Sequence, residues 1–147
     1  MRLIPPIHHS KLTEDERQAR RLGFKHIPTN AEVAVVLWER IKAHRETVKE
    51  QGVLAGGKWF HSDDKSRTQQ LGLVLMGTNV PPVPWKTMDG SFITMTQTLA
   101  GQIFQATATL DIQAHAVAEQ HKAAVEASAT PMSYDYRVGW PVTYTAI

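Results

Sequence analysis

The 147-residue sequence predicts an α+β domain: two long helices and one short helix packed on a small antiparallel sheet containing an Asp-Gly hairpin, with extended N- and C-terminal arms. Three observations carry that reading. Apolar residues recur at helical spacing over about residues 31–50 and again over about 96–127. Between them lie two aromatic-rich stretches, Lys58-Trp59-Phe60-His61-Ser62-Asp63 and Trp85-Lys86-Thr87-Met88-Asp89-Gly90-Ser91-Phe92, each set among glycine or proline turn signals. Prolines at 5, 6 and 28 and the Thr130-Pro131 step mark off the ends. The expected organisation is an N-terminal arm over 1–30, an α+β core over 31–130, and a C-terminal extended strand or docking arm over 131–147.

Taken in order, the arm contains one charged segment, Thr13 to Arg21, with Thr13 and Glu16 spaced as a capping box for a short helix. Leu12, Leu22, Phe24 and Ile27 are too few to form a core alone, so the arm is expected to lie on the rest of the domain or on a neighbour. Thr29 and Glu32 repeat the capping-box spacing at the head of the first long helix. Val33, Leu37, Ile41, His44 and Val48 fall on one side of it, Trp38 widens that stripe, and Gly52 supplies a left-handed stop. Its other side, with Glu39, Lys42, Arg45, Glu46 and Lys49, reads as a solvated face of ion pairs.

Residues 52–61 read as strand, glycine turn and strand. A short helix follows, capped by Ser62, Asp63 or Asp64 and stopped by Gly77, after which Pro81, Pro82 and Pro84 forbid regular structure. Asp89-Gly90 predicts a two-residue hairpin loop with positive φ at both positions. The second long helix presents Leu99, Ile103, Ala106, Leu110, Ala114, Val117, His121 and Val125 as a narrow apolar stripe. From Tyr134 to Tyr144 every even position is apolar or aromatic (Tyr134, Tyr136, Val138, Trp140, Val142, Tyr144), which is the period of an extended strand with one sticky face. Gly139 and Pro141 suit an edge strand. Two roles stay open: covering this domain's own sheet, or docking on another subunit.

Composition narrows the function classes. At 42% hydrophobic and 20% charged the chain is globular, and without cysteine it has neither disulfides nor thiolate chemistry, which suits a reducing cytoplasm. No apolar run reaches membrane-spanning length, and the Met1-Arg2-Leu3-Ile4-Pro5-Pro6 start lacks the apolar core of a secretory signal. The net charge of +2 is spread as +3, +1 and −2 over successive thirds, and the basic residues of 17–21 alternate with acidic neighbours. A nucleic-acid-binding face needs a sustained basic stripe, so no nucleic-acid partner is expected.

Candidate chemistry is sparse. His61, Asp63 and Asp64 resemble a metal-ligand cluster, but adjacent aspartates before a helix are expected to act as its cap. His8-His9 is expected at the surface. Asp111, His115 and Glu119 share a helix face, and Lys122 continues it, which reads as a solvated ion-pair stripe rather than an acid–base set. Trp59, Phe60, Trp85 and Phe92 are expected in the core; a stacking platform for sugars or bases is the competing reading. No catalytic residue, metal or cofactor is assigned, and the chain is not expected to be an enzyme.

The order of these residues carries a resemblance. Trp38-Glu39-Arg40-Ile41-Lys42 and Arg45-Glu46 lead into Trp59-Phe60-His61-Ser62-Asp63, then Ser66-Arg67-Thr68-Gln69, the Trp85-to-Phe92 hairpin and the Ala-rich helix with His121. Over roughly residues 32 to 127 this resembles a domain of unknown function frequent in tail and tail-fibre gene products of tailed bacteriophages and prophages. The resemblance implies a structural component of a tail, baseplate or fibre-attachment assembly, made in the bacterial cytoplasm and resident in the virion. The alternative it implies is a tail-fibre assembly chaperone absent from the particle. Either way the partners are other tail or tail-fibre proteins, or further copies of the chain, with no membrane involved. Tyr134, Tyr136, Val138, Trp140, Val142 and Tyr144 are the candidate partner contacts; Trp59, Phe60, Trp85, Asp89, Gly90 and Phe92 are the candidate scaffold.

Overall fold

Helix ends are written clearly in this chain, and the computed structural model, which describes residues 1–8 and 11–145, places them within one residue of the sequence signals. Helix α1 (Glu14–Arg21) opens on a complete capping box: the Thr13 hydroxyl accepts from the Glu16 amide, and the Glu16 carboxylate accepts from the Thr13 amide. The same reciprocal pair, Thr29 with Glu32, opens α2 (Asn30–Lys49). Asp63 caps α3 (Asp64–Met76) by accepting from both the amide and the hydroxyl of Ser66. The Thr96 hydroxyl accepts from the Leu99 amide at the head of α4 (Gln97–Ala127). Between these helices, β1 (Val53–Ala55) pairs antiparallel with β2 (Lys58–Phe60), and β3 (Pro84–Lys86) with β4 (Phe92–Thr94). Among the described residues the fold is thus α+β, with four α-helices and two small two-stranded sheets packed against the long helices α2 and α4.

By contacts the chain divides into two compact units. One comprises residues 1–43 and 118–138. Its N-terminal segment is tied down by a bridge between Leu3 and His26 and by a small cluster of Ile4, Leu12 and Ala19 with Phe24, Ile27 and Met132. Within this unit α2 buries Val33, Leu37 and Ile41, while α4 buries Ala118, His121 and Val125, each at helical spacing. Lys42 and Lys122 both lie over the Trp38 ring, 5.5 and 5.0 Å from its centroid.

The other unit comprises residues 44–117 and 139–147. Its core joins Val48 of α2, Val53, Ala55 and Phe60 of the first hairpin, Leu73 of α3, Met95 just after β4, and Leu99, Ala100, Ile103, Leu110 and Ala114 along α4. Trp85 and Ile93, opposite each other in β3 and β4, pack on that core half-buried.

Three expectations need correction. Only Gly90 has positive φ in the second hairpin, so its loop is not the two-residue Asp-Gly type. The Gly90 amide reaches the Thr87 carbonyl and the Thr87 amide reaches the Ser91 carbonyl, which makes a three-residue loop with a left-handed glycine closing it. Asp89 keeps a negative φ, and its carboxylate folds back onto the amide and hydroxyl of Ser91 and the hydroxyl of Thr87. Phe92 is 63% exposed: with Ile93 turned inward, strand alternation turns Phe92 outward. Finally, Tyr134–Tyr144 forms no strand among the described residues; after a 3-10 turn at Pro131–Ser133 it runs as irregular chain with a bend over 137–139. Gly139 at φ 82° breaks the extended run, and Pro141 offers no amide to a ladder.

Candidate interaction surfaces

The two aromatic stretches meet. The Met88 amide donates to the Trp59 carbonyl at 2.9 Å, and Lys58 Nζ lies 2.9 Å from Ser91 Oγ and 3.4 Å from Asp89 Oδ2. Thr87 is buried between them. Hydrogen bonds from Ser91 and Thr87 hold the Asp89 carboxyl far below the usual carboxylate range, with Lys58 adding to the effect. Phe60 is fully buried, Trp85 sits on the core and Trp59 is half-buried, so the stretch acts mainly as scaffold.

A second hub surrounds Arg67, which the sequence shows only as part of a Ser-Arg-Thr run. Its guanidinium grips Asp111 with two bonds, Nη1 to Oδ2 at 2.7 Å and Nη2 to Oδ1 at 3.0 Å, and also donates to the carbonyls of Lys49 and Ser62. The Ser62 hydroxyl donates to the Lys49 carbonyl and accepts from the Gly52 amide. A carbonyl that the end of α2 would leave unpaired is therefore satisfied twice over. Asp111 thus pairs across to α3 rather than along its own helix, while His115 lies 3.4 Å from Lys49 Nζ and Lys122 lies over Trp38. The expected Asp111–His115–Glu119 stripe is not a linked set. Asp63 serves as the α3 cap, and His61 is exposed. His8 is exposed; His9 lies outside the described residues.

The candidate partner residues divide. In the first unit Tyr134 Oη lies 2.7 Å from Nδ1 of buried His121, whose Nε2 lies 2.8 Å from the Val138 carbonyl. A carbonyl only accepts, so Nε2 carries a proton. Tyr136 lines a shallow cleft of about 310 Å³ beside Arg40 and Arg137, and the Val138 side chain is exposed. In the second unit Trp140 packs on the core and meets His44 edge-on at 4.9 Å. The Tyr144 amide donates to the Gln51 carbonyl, and its ring tilts against Trp59 at 6.2 Å. Val142 is 84% exposed. Residues 146 and 147 lie outside the described residues.

Sequence reasoning passed over one surface. α3 and α4 run antiparallel, since Arg67 meets Asp111 while Leu71 shares a cleft with Phe104 and Ala108. Along this pair Leu71, Leu75 (78% exposed), Phe104 and Ile112 (72% exposed) turn apolar side chains to solvent. Their spacing, 71–75 and 104–108–112, is a second helical stripe that the stronger core stripe masks.

This geometry defines a small α+β domain whose two hairpins pack against long helices, with Leu71, Leu75, Phe104 and Ile112 exposed on α3 and α4. The chain belongs to the family of the domain of unknown function DUF4376, whose model matches residues 32–138. No curated protein and no solved structure matches it. Among the described residues no helix is long and apolar enough to cross a membrane.

Proposed function

We propose that this protein is a non-enzymatic structural subunit of a tailed-phage tail, baseplate or tail-fibre attachment assembly, working through protein–protein contacts. The observation that carries a contact-making role is the solvent-facing apolar stripe of Leu71, Leu75, Phe104 and Ile112 on α3 and α4. Large exposed apolar patches mark surfaces that are covered in an assembly. The tail assignment is supported by the resemblance of the Trp59–Asp63 and Trp85–Phe92 stretches, in their order between two helices, to tail and tail-fibre gene products. On this reading the partners are other tail proteins or further copies of the chain, and the protein passes from the host cytoplasm into the virion tail.

Mass spectrometry of purified virions is the test. The chain should be found at stoichiometric level in particles. Its presence in lysates but absence from particles would replace this reading with that of a tail-fibre assembly chaperone.

A further inference from the structure

We infer that the open groove beside β1 is a docking site for an extended, uncharged peptide segment of a partner, which adds a third strand to the β1–β2 hairpin. This deepens the contact-making role proposed above and rests on it.

The hairpin geometry gives the first reason. Gly56 and Gly57 both have positive φ, as a two-residue type I′ loop requires, so Ala55 and Lys58 form a hydrogen-bonded pair. Pairs alternate in an antiparallel ladder, so Leu54 and Trp59 form the non-hydrogen-bonded pair and turn their backbone groups outward. On the β2 side that outward group is already used: the Trp59 carbonyl takes the Met88 amide. On the β1 side the Leu54 backbone faces the groove, a short free edge of the kind that takes up an added strand.

The groove itself gives the second reason. It has a volume of about 790 Å³, with β1 on one side and α4 on the other. None of the residues lining it carries a charge, in a chain that is 20% charged. α4 contributes Gln102, Gln105, Thr109 and Gln113, one face of the helix at i, i+3, i+7 and i+11. Glutamine amides both donate and accept, as a peptide backbone does, and an unpaired ligand charge would find no partner here. The chain's own C-terminal segment shows that backbone pairing is feasible at this edge: Tyr144 makes one rung with Gln51, and Pro141 and Val142 then line the groove without continuing the ladder.

The test uses the full-length, isotope-labelled protein and, as probe, a synthetic peptide with the sequence of residues 138–147, which is uncharged and alternates apolar with small residues over most of its length. Amide resonances of residues 52–56 and the side-chain amides of Gln102, Gln105 and Gln113 should shift together on titration. A peptide with two lysines at the alternating apolar positions should bind at least tenfold more weakly. Leu54→Pro, which removes the edge amide, should abolish the shifts, and Gln105→Glu with Gln113→Glu provides a second variant that leaves the strand intact. Shifts elsewhere, unchanged binding to both variants, or a response to a neutral oligosaccharide but not to the peptide would overturn the inference. None of these outcomes depends on whether the chain is found in virions.

Discussion

The Met88 amide donates to the Trp59 carbonyl over 2.9 Å, and that bond ties the loop of the second hairpin to the edge of the first. It explains why two stretches about 25 residues apart in sequence behave as one scaffold. Lys58, Thr87, Asp89 and Ser91 surround the junction with polar contacts, while Phe60 and Trp85 anchor its underside in the core. Two-stranded sheets of three residues each are marginal alone. Here each is held by the other and by the helices beneath.

Gly52 lies at the same junction and should not tolerate a side chain. Its φ is 100°, and a Cβ there would sit 2.3 Å from Met88 Sδ and 3.3 Å from the Phe60 carbonyl. Gly57, at φ 77°, has open space where its Cβ would go. Left-handed strain alone costs about 1–2 kcal/mol for a residue with a Cβ. Gly57→Ala is therefore expected to lose roughly that amount, and Gly52→Ala distinctly more. Urea unfolding of the two variants checks the order.

Arg67 should not be replaceable by lysine. Its fork serves Asp111 and the carbonyls of Lys49 and Ser62 together, which a single ammonium cannot match. The pair is partly exposed, with side chains at 22% and 32%, so solvent screening discounts its Coulombic share. The larger loss is the guanidinium's hydrogen bonds to the Ser62 and Lys49 carbonyls, the latter keeping only its bond from the Ser62 hydroxyl. Arg67→Lys is expected to destabilise by about 1–3 kcal/mol and Asp111→Asn by about 1 kcal/mol. A double-mutant cycle on chemical denaturation should show coupling between the two positions.

How far the fold could be read in advance follows from how local each signal is. Thr13–Glu16, Thr29–Glu32 and Asp63–Ser66 are contacts three residues apart, so the helix starts were legible. Gly52, Gly56, Gly57 and Gly77 stop or turn the chain by backbone geometry alone, and these too were legible. The C-terminal segment misled because period two requires no partner strand: its alternation is met by Tyr134 on His121, Trp140 on the core and Tyr144 on Trp59. The Arg67 hub joins residues 18 and 44 positions apart, and no local pattern marks it. The apolar stripe through Phe104 and Ile112 was hidden because alanines spread across α4 blur where one face ends.

Acid should weaken this protein through its capping and turn carboxylates. Asp63 and Asp89 both titrate below their ordinary value of 3.8, chiefly through hydrogen bonds from Ser66 and from Ser91 and Thr87 respectively. Glu16 and Glu32 are lowered in the same way by Thr13 and Thr29. A depressed carboxylate binds fewer protons folded than unfolded, so its contribution is complete above the unfolded value and falls as pH drops through the folded one. The contribution of these carboxylates is expected to be complete above about pH 5 and to decline steadily below about pH 4. Asp89→Asn should be less stable than the parent at neutral pH, with the gap narrowing as the solution is acidified. Urea midpoints taken at intervals of pH would show a parallel decline instead if Asp89 made no such contribution.

The C-terminal segment offers the sharpest separation between covering and docking. Trp140 lies half-buried on the core and against His44, so Trp140→Ala is expected to cost about 2–4 kcal/mol, somewhat below the value for a fully enclosed tryptophan. Removing residues 132–147 should abolish cooperative unfolding, because it also strips Tyr134 from His121 and Tyr144 from Gln51. Val142, by contrast, is almost fully exposed, and its replacement by aspartate should leave the melting temperature within about 2 °C, as for surface changes generally. A Val142→Asp chain that folds normally but no longer enters its assembly would mark the outer side of this segment as a contact with a neighbour. Normal assembly of that variant, with loss of folding on truncation, would confine the segment to its own domain.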